Sequence, residues 1–288
     1  MMERAIASLR GWVDEPRVRQ GFKIAGLVFV VCGAIWSAVS LDLAWSEISL
    51  GLLLLNLFLL APANLVVAAI SLRINATALG HEIPYRRSLY TVAVANVSEL
   101  LPIPAGAFIR GAALVNAGAG VADSARIVTY TSILTLLMTL CLSLLALGAL
   151  ADAAWFWLAG ASGIGLVAII VLLLRQIRAV SILEMIGIRG GMLLLTLLRL
   201  IIAFATFGVT IGWVDAALYA IAPTLGAAVA IIPAGLGVNE AIAAGLATLI
   251  AASSASAFLA IALYRVLGLV AGGAMVLAMQ FLTNESRT

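Results

Sequence analysis

Glu99, Arg110, Arg199, Glu240 and Arg265 each set a formal charge among strongly apolar neighbours. A charge at the centre of a bilayer helix costs about 2.5–3.5 kcal/mol or more, so such residues are rare and informative. Three kinds of chemistry suit them. Arginine binds phosphate well, because its planar guanidinium donates two parallel hydrogen bonds. A lone carboxyl such as Glu240 suits proton coupling. The third use is structural, with Glu99–Arg110, or Glu240 with Arg265 or Arg199, fixing helices as ion pairs. Asn239 stands beside Glu240 and Tyr264 beside Arg265, so both join the candidate set.

The surroundings of these residues define the class of protein. Of 288 residues, 64% are hydrophobic and 10% are charged, and the mean hydropathy is +1.20. Soluble domains carry about 45–50% apolar and about 25% charged residues. This chain therefore reads as an all-α polytopic membrane protein. A disordered chain, a coiled coil, a secreted disulfide scaffold and an ordinary cytosolic enzyme are excluded. Cys32 and Cys141 sit in apolar runs and read as small hydrophobes. His81-Glu82 lacks the second histidine of a zinc-protease helix. No Ser/His/Asp set, Cys/His cluster or aspartate pair stands out, so no enzyme activity, metal, cofactor or nucleic-acid partner is expected. The glycines of Gly160–Gly165, with Gly268 and Gly272, read as helix-packing faces.

About 20 apolar residues cross a bilayer as a helix. Six stretches qualify: 22–40, 48–72, 124–150, 154–174, 191–213 and 257–281. The apolar run near the N-terminus is read as a retained span, since no cleavage site follows it. Residues 88–115 and 216–252 are broken, the first by Pro102, Pro104 and Gly106, the second by Pro233, Gly235 and Gly237. Proline removes a backbone donor and glycine permits the turn, so each segment reads as two half-helices with an irregular tip. Pro62 and Pro223 read as helix kinks. Arg4, Arg10, Arg17, Arg19 and Lys23, then Arg73, Arg86 and Arg87, then Arg175, Arg178 and Arg189 fall in alternate loops. Asp42 and Glu47, Asp152 and Asp215 fall in the others. This positive-inside pattern places both termini in the cytoplasm, the first broken segment entering from that face and the second from the opposite one. Both are expected re-entrant hairpins.

An internal repeat follows. Pro104-Ala105-Gly106 and Pro233-Ala234-Gly235 stand at an offset of 129 residues. The halves, about 1–150 and 151–288, share the order span, span, hairpin, span. Inverted repeats with broken helices at the midplane belong to transporters. If both tips reach that depth, Arg110 and Glu240 approach one another across a polar gap.

The tip motifs resemble those of the family built around the transmembrane part of bacterial lysylphosphatidylglycerol synthases. The first motif is carried by Leu101-Pro102-Ile103-Pro104-Ala105-Gly106 and Arg110, the second by Pro233 through Glu240, and the later Tyr-Arg pair by Tyr264-Arg265. The likeness spans roughly residues 20–282. Asn239 departs from it, standing where the family usually has arginine, and the first tip has one glycine where relatives often have two. The chain ends six residues past Leu282, so the resemblance implies a stand-alone member without a synthase domain.

The resulting expectation is a single inner-membrane unit of six spans and two opposed hairpins that moves an amphipathic, anionic or polyprenyl-phosphate-linked lipid between leaflets. Arg110, Glu240 and Arg265 lead the site, with Glu99, Arg199, Asn239 and Tyr264 behind them. Two other readings stay open at this point. One is an accessory subunit of a glycosyl- or aminoacyl-lipid transferase system, with a lipid-modifying enzyme as partner. The other is a small-solute secondary transporter.

Overall fold

The computed structural model describes residues 48–99, 105–228 and 237–285, with Cys32, Ile35, Trp36 and Val39 as isolated positions before them. The expected span 22–40 and the tip residues Pro102, Pro104, Pro233 and Gly235 lie outside the described residues. Among them the regular structure is all helix, joined by short turns and loops. The helices are α1 (Leu50–Ala78), α2 (Tyr85–Ser98), α3 (Ala105–Val115), α4 (Val121–Leu150), α5 (Trp155–Leu174), α6 (Ala179–Thr206), α7 (Trp213–Tyr219), α8 (Ile221–Ala228), α9 (Val238–Leu249) and α10 (Ser254–Glu285).

Five of these, α1, α4, α5, α6 and α10, are apolar enough and, at 20 to 32 residues, long enough to cross a membrane. Twenty residues of helix reach about 30 Å, the thickness of the hydrocarbon core. Their most apolar stretches are only 22% to 39% buried by the protein itself. The remaining surface, including Phe58, Trp157, Ile164 and Leu194, is exposed. Only a lipid surround satisfies that much outward-facing hydrocarbon.

Two helices run furthest beyond their expected limits. In α1 the helix continues past residue 72 through Arg73 to Ala78, because Asn75 and Ala76 on its inner face are buried. In α6 the helix starts at Ala179 rather than 191 and ends at Thr206 rather than 213. Ile182 and Met185 are buried in the core and anchor this first part. The charges and glycines between them and residue 191 had broken the apolar run without breaking the helix. Arg189 is therefore a helical residue and not a loop charge.

Proline effects are local. Pro62 has no N–H for the carbonyl four residues earlier, and the chain widens into a π turn over Asn56–Leu60 just before it. In the second broken segment Pro223 leaves the Tyr219 carbonyl without its helical donor, and the chain breaks at Ala220 between α7 and α8. Among its described residues that segment holds three short helices where two arms were expected.

The α2 and α3 helices, 14 and 11 residues long, pack antiparallel. Gly106 at the start of α3 lies against the Ala95 carbonyl and Glu99 near the end of α2. At the other end Ala113 and Asn116 share a groove with Arg87 and Thr91. The α8 and α9 helices also pack on each other, and the Asn239 side chain fills the space where Gly226 has no Cβ. One buried cluster joins α1 through α6 around Leu72, Leu114, Leu134, Leu173 and Met185. A second joins α4, α6, α7, α9 and α10 around Leu200, Phe204, Tyr219 and Ile261. Ala271 carries α10 into the first cluster as well.

Glycine placement follows this packing unevenly. Gly165 meets Leu137, Gly268 meets Arg199, and Gly272 meets Asn96 and Val97. Gly160 and Gly163 instead face open space, so they close no helix contact among the described residues. A Gly226→Ala substitution drives a methyl group into the buried Asn239 and is expected to destabilise by about 1–3 kcal/mol. Gly163→Ala, with nothing in its way, is expected to leave the thermal unfolding temperature in detergent unchanged or raised. Equal midpoints for the two variants would contradict the packing described.

Candidate functional site

The charged residues at depth sort into three groups, each built by a particular helix junction. In the second half, Gly237 adopts φ 82°, a left-handed conformation that favours glycine, and opens α9. Three residues on, Glu240 turns back so that its Oε2 accepts the Gly237 N–H at 3.0 Å. This satisfies one of the free donors at the helix start. The other oxygen, Oε1, accepts Nη1 of Arg265 on α10 at 2.7 Å. The Glu240 side chain is 1% exposed and that of Arg265 12%. Glu240 thereby caps α9 and ties it to α10 as a short, charge-assisted pair.

Arg199 forms the second group, in the middle of α6, and is 2% exposed. Its Nε donates to Asn56 Oδ1 at 3.0 Å and its Nη2 to the Tyr264 carbonyl at 2.9 Å. The guanidinium also lies 4.2 Å from the centre of the Tyr264 ring, a cation–π distance. Asn56 returns a bond from Nδ2 to the Arg199 carbonyl at 3.2 Å. Among the described residues Arg199 has no carboxylate partner. Its charge is spread over an amide, a carbonyl and a ring, and Gly268 leaves room for it beside α10. Arg199 and Tyr264 are thus brought together as a clamp joining α1, α6 and α10, and neither is paired with Glu240.

The third group belongs to the first hairpin and is much looser. Arg110 Nη2 stands 3.7 Å from Glu99 Oε1, with the side chains 38% and 41% exposed. That contact is an ion pair without a hydrogen bond. Arg189, on α6, is close enough to Arg110 for the two charges to interact. Its Nε is buried with no hydrogen-bond partner. Arg110 and Glu240, expected to approach each other, have separate partners within their own halves.

Asn239 and Asn96 share a further trait. Each is pressed against a glycine, Gly226 or Gly272, with a buried side-chain oxygen lacking a partner. An unsatisfied buried acceptor costs about 1–3 kcal/mol. Both stand close in sequence to the key carboxylates, at three residues before Glu99 and one before Glu240.

Sequence reasoning missed Asn56 and Arg189. The signal for Asn56 was available, since it is a lone amide inside the run Leu52–Leu60. Arg189 was concealed by the misplaced start of α6.

These geometries set an order of strengths. Removing one partner of a buried ion pair costs about 3–5 kcal/mol, whereas exposed pairs contribute about 0–1 kcal/mol. A double-mutant cycle on Glu240→Ala and Arg265→Ala, read by unfolding in detergent, is expected to give a coupling several times that of Glu99→Ala and Arg110→Ala. Equal couplings would show that the two pairs are held alike.

Comparison with protein-family models, with curated proteins and with solved structures returns no match for this chain, so its function has to be argued from its own residues.

Proposed function

We propose that this protein carries an amphipathic lipid with an anionic headgroup between the leaflets of the bacterial inner membrane. The observation that carries the reading is the excess of guanidinium at the first hairpin. Arg110 and Arg189 lie close enough for their like charges to interact, and the Arg110 contact to Glu99 is long and half exposed. A phosphate is the anion for which two arginine forks are best shaped. The hairpin itself is too short to cross a bilayer. Its 14- and 11-residue helices reach about 21 and 17 Å against a core of about 30 Å.

In this reading 88–115 and 216–252 are re-entrant hairpins from opposite faces, related by an inverted repeat, with both termini cytoplasmic. The headgroup passes by the polar residues of the hairpins while its tails stay in lipid. The resemblance of the tip motifs to the lysylphosphatidylglycerol synthase membrane unit points the same way. Irregular backbone at membrane depth is tolerated only against protein or a watered cavity. Glu240 with Arg265 serves as the fixed wall against which the first hairpin works.

Leaflet exchange of fluorescent lipids in liposomes tests the reading. The protein is expected to speed exchange of an anionic phospholipid, and Arg110→Ala is expected to slow it by about tenfold, the equivalent of about 1.4 kcal/mol. Glu240→Gln should also slow it, with its unfolding temperature measured alongside to separate loss of fold from loss of transport. Exchange no faster than in empty liposomes, for anionic and zwitterionic lipids alike, defeats the proposal. Exchange that is equally fast in both variants removes these residues from the pathway.

A further inference from the structure

A second cationic site lies away from the hairpins, where three spanning helices end together. The close of α1, the end of α5 and the start of α6 surround a cavity of about 670 Å³. Pockets of a few hundred Å³ accommodate small ligands. Its polar lining consists of donors and acceptors without a carboxylate: Arg175, Gln176, Arg178, Thr77 and Ser181. Neither arginine forms an ion pair among the described residues. Two unneutralised guanidinium groups flanked by hydroxyls and an amide make an anion site, and bidentate hydrogen bonding favours phosphate.

The rim decides where the phosphate comes from. Leu174 lines the cavity and is 49% exposed, and Leu172, Val180 and Leu183 near the same helix ends are 41%, 66% and 69% exposed. They belong to α5 and α6, both long and apolar enough to span. A headgroup in the cavity would have its acyl chains against these side chains. Basic pockets between helix ends at a membrane face are suited to such headgroups, with each arginine near the surface contributing about 1 kcal/mol.

We propose that this cavity binds the phosphate of an anionic phospholipid, held by Arg175 and Arg178, as a lipid site separate from the hairpins. The site does not depend on the transport reading, since it shares no residue with it.

The test is lipid binding by the full chain, stripped of lipid in a neutral detergent and observed by native mass spectrometry. Phosphatidylglycerol is expected to remain bound in preference to phosphatidylcholine. In Arg175→Gln/Arg178→Gln the apparent Kd for phosphatidylglycerol should rise by roughly 10- to 30-fold. Arg86→Gln/Arg87→Gln removes the same charge from another exposed segment and should leave the Kd within about twofold of the parent. Unchanged binding in the first variant overturns the proposal, as does an equal loss in both. Displacement of the lipid by inorganic phosphate at a similar concentration would also overturn it, assigning the cavity to a soluble anion. Unfolding temperatures without lipid, expected to match for all three proteins, confirm that both variants fold.

Discussion

The constraint on which this structure turns is the expense of charge inside an apolar bundle. Glu240 is 1% exposed, and an isolated carboxylate there would cost several kcal/mol. Its two oxygens are therefore fully committed, one to the N–H of Gly237 and one to Arg265. That commitment dictates local sequence. Gly237 is required because its φ of 82° strains any residue with a Cβ. The three-residue spacing to Glu240 is required because it brings the carboxylate back to the helix start. Arg265 must lie on the face of α10 that α9 covers.

The two halves meet the same expense differently. In the second half the buried charges of α9 and of the middle of α6 are bound tightly, Glu240 with Arg265 and Arg199 among Asn56 and Tyr264. In the first, Arg110 is held at 3.7 Å by a half-exposed Glu99, with Arg189 nearby and unbonded at Nε. If the halves descend from one pattern, that pattern governs the hairpin shape and not the pairing of charge. Asn239 illustrates the difference. It occupies the position where the resembled family carries a cation, and here it fills the notch at Gly226.

Much of this was legible in the amino-acid order. The five long apolar helices correspond to five of the six expected spans, because about 20 apolar residues in a row have no other stable setting. The break points also announced themselves through Pro62, Pro223 and Gly237. Boundaries were less legible where an amphipathic end followed an apolar centre. The α6 helix runs back to Ala179 because Ile182 and Met185 find a core, which hydropathy alone does not weigh. Charge partners were legible only as alternatives, since the pairing of Glu240 with Arg265 rather than Arg199 depends on how α9 turns against α10. The π turn at Asn56 was hidden for the same reason: a lone amide in a leucine run has meaning only once Arg199 stands opposite it.

These unequal pairings decide which half can exchange partners at low cost. Separating Glu240 from Arg265 strands two buried charges and opens the cap of α9. Separating Arg110 from Glu99 parts two side chains already 38% and 41% exposed. The α10 helix connects the two places, touching Glu240 through Arg265 and the first hairpin through Gly272 and Asn96. Those contacts are seven residues apart on one helix, about 10 Å along its axis. The first hairpin thus packs directly on the helix that holds α9 through Arg265. The buried Glu240–Arg265 pair is then the costlier of the two to separate, and α10 carries both that pair and the contact to α2.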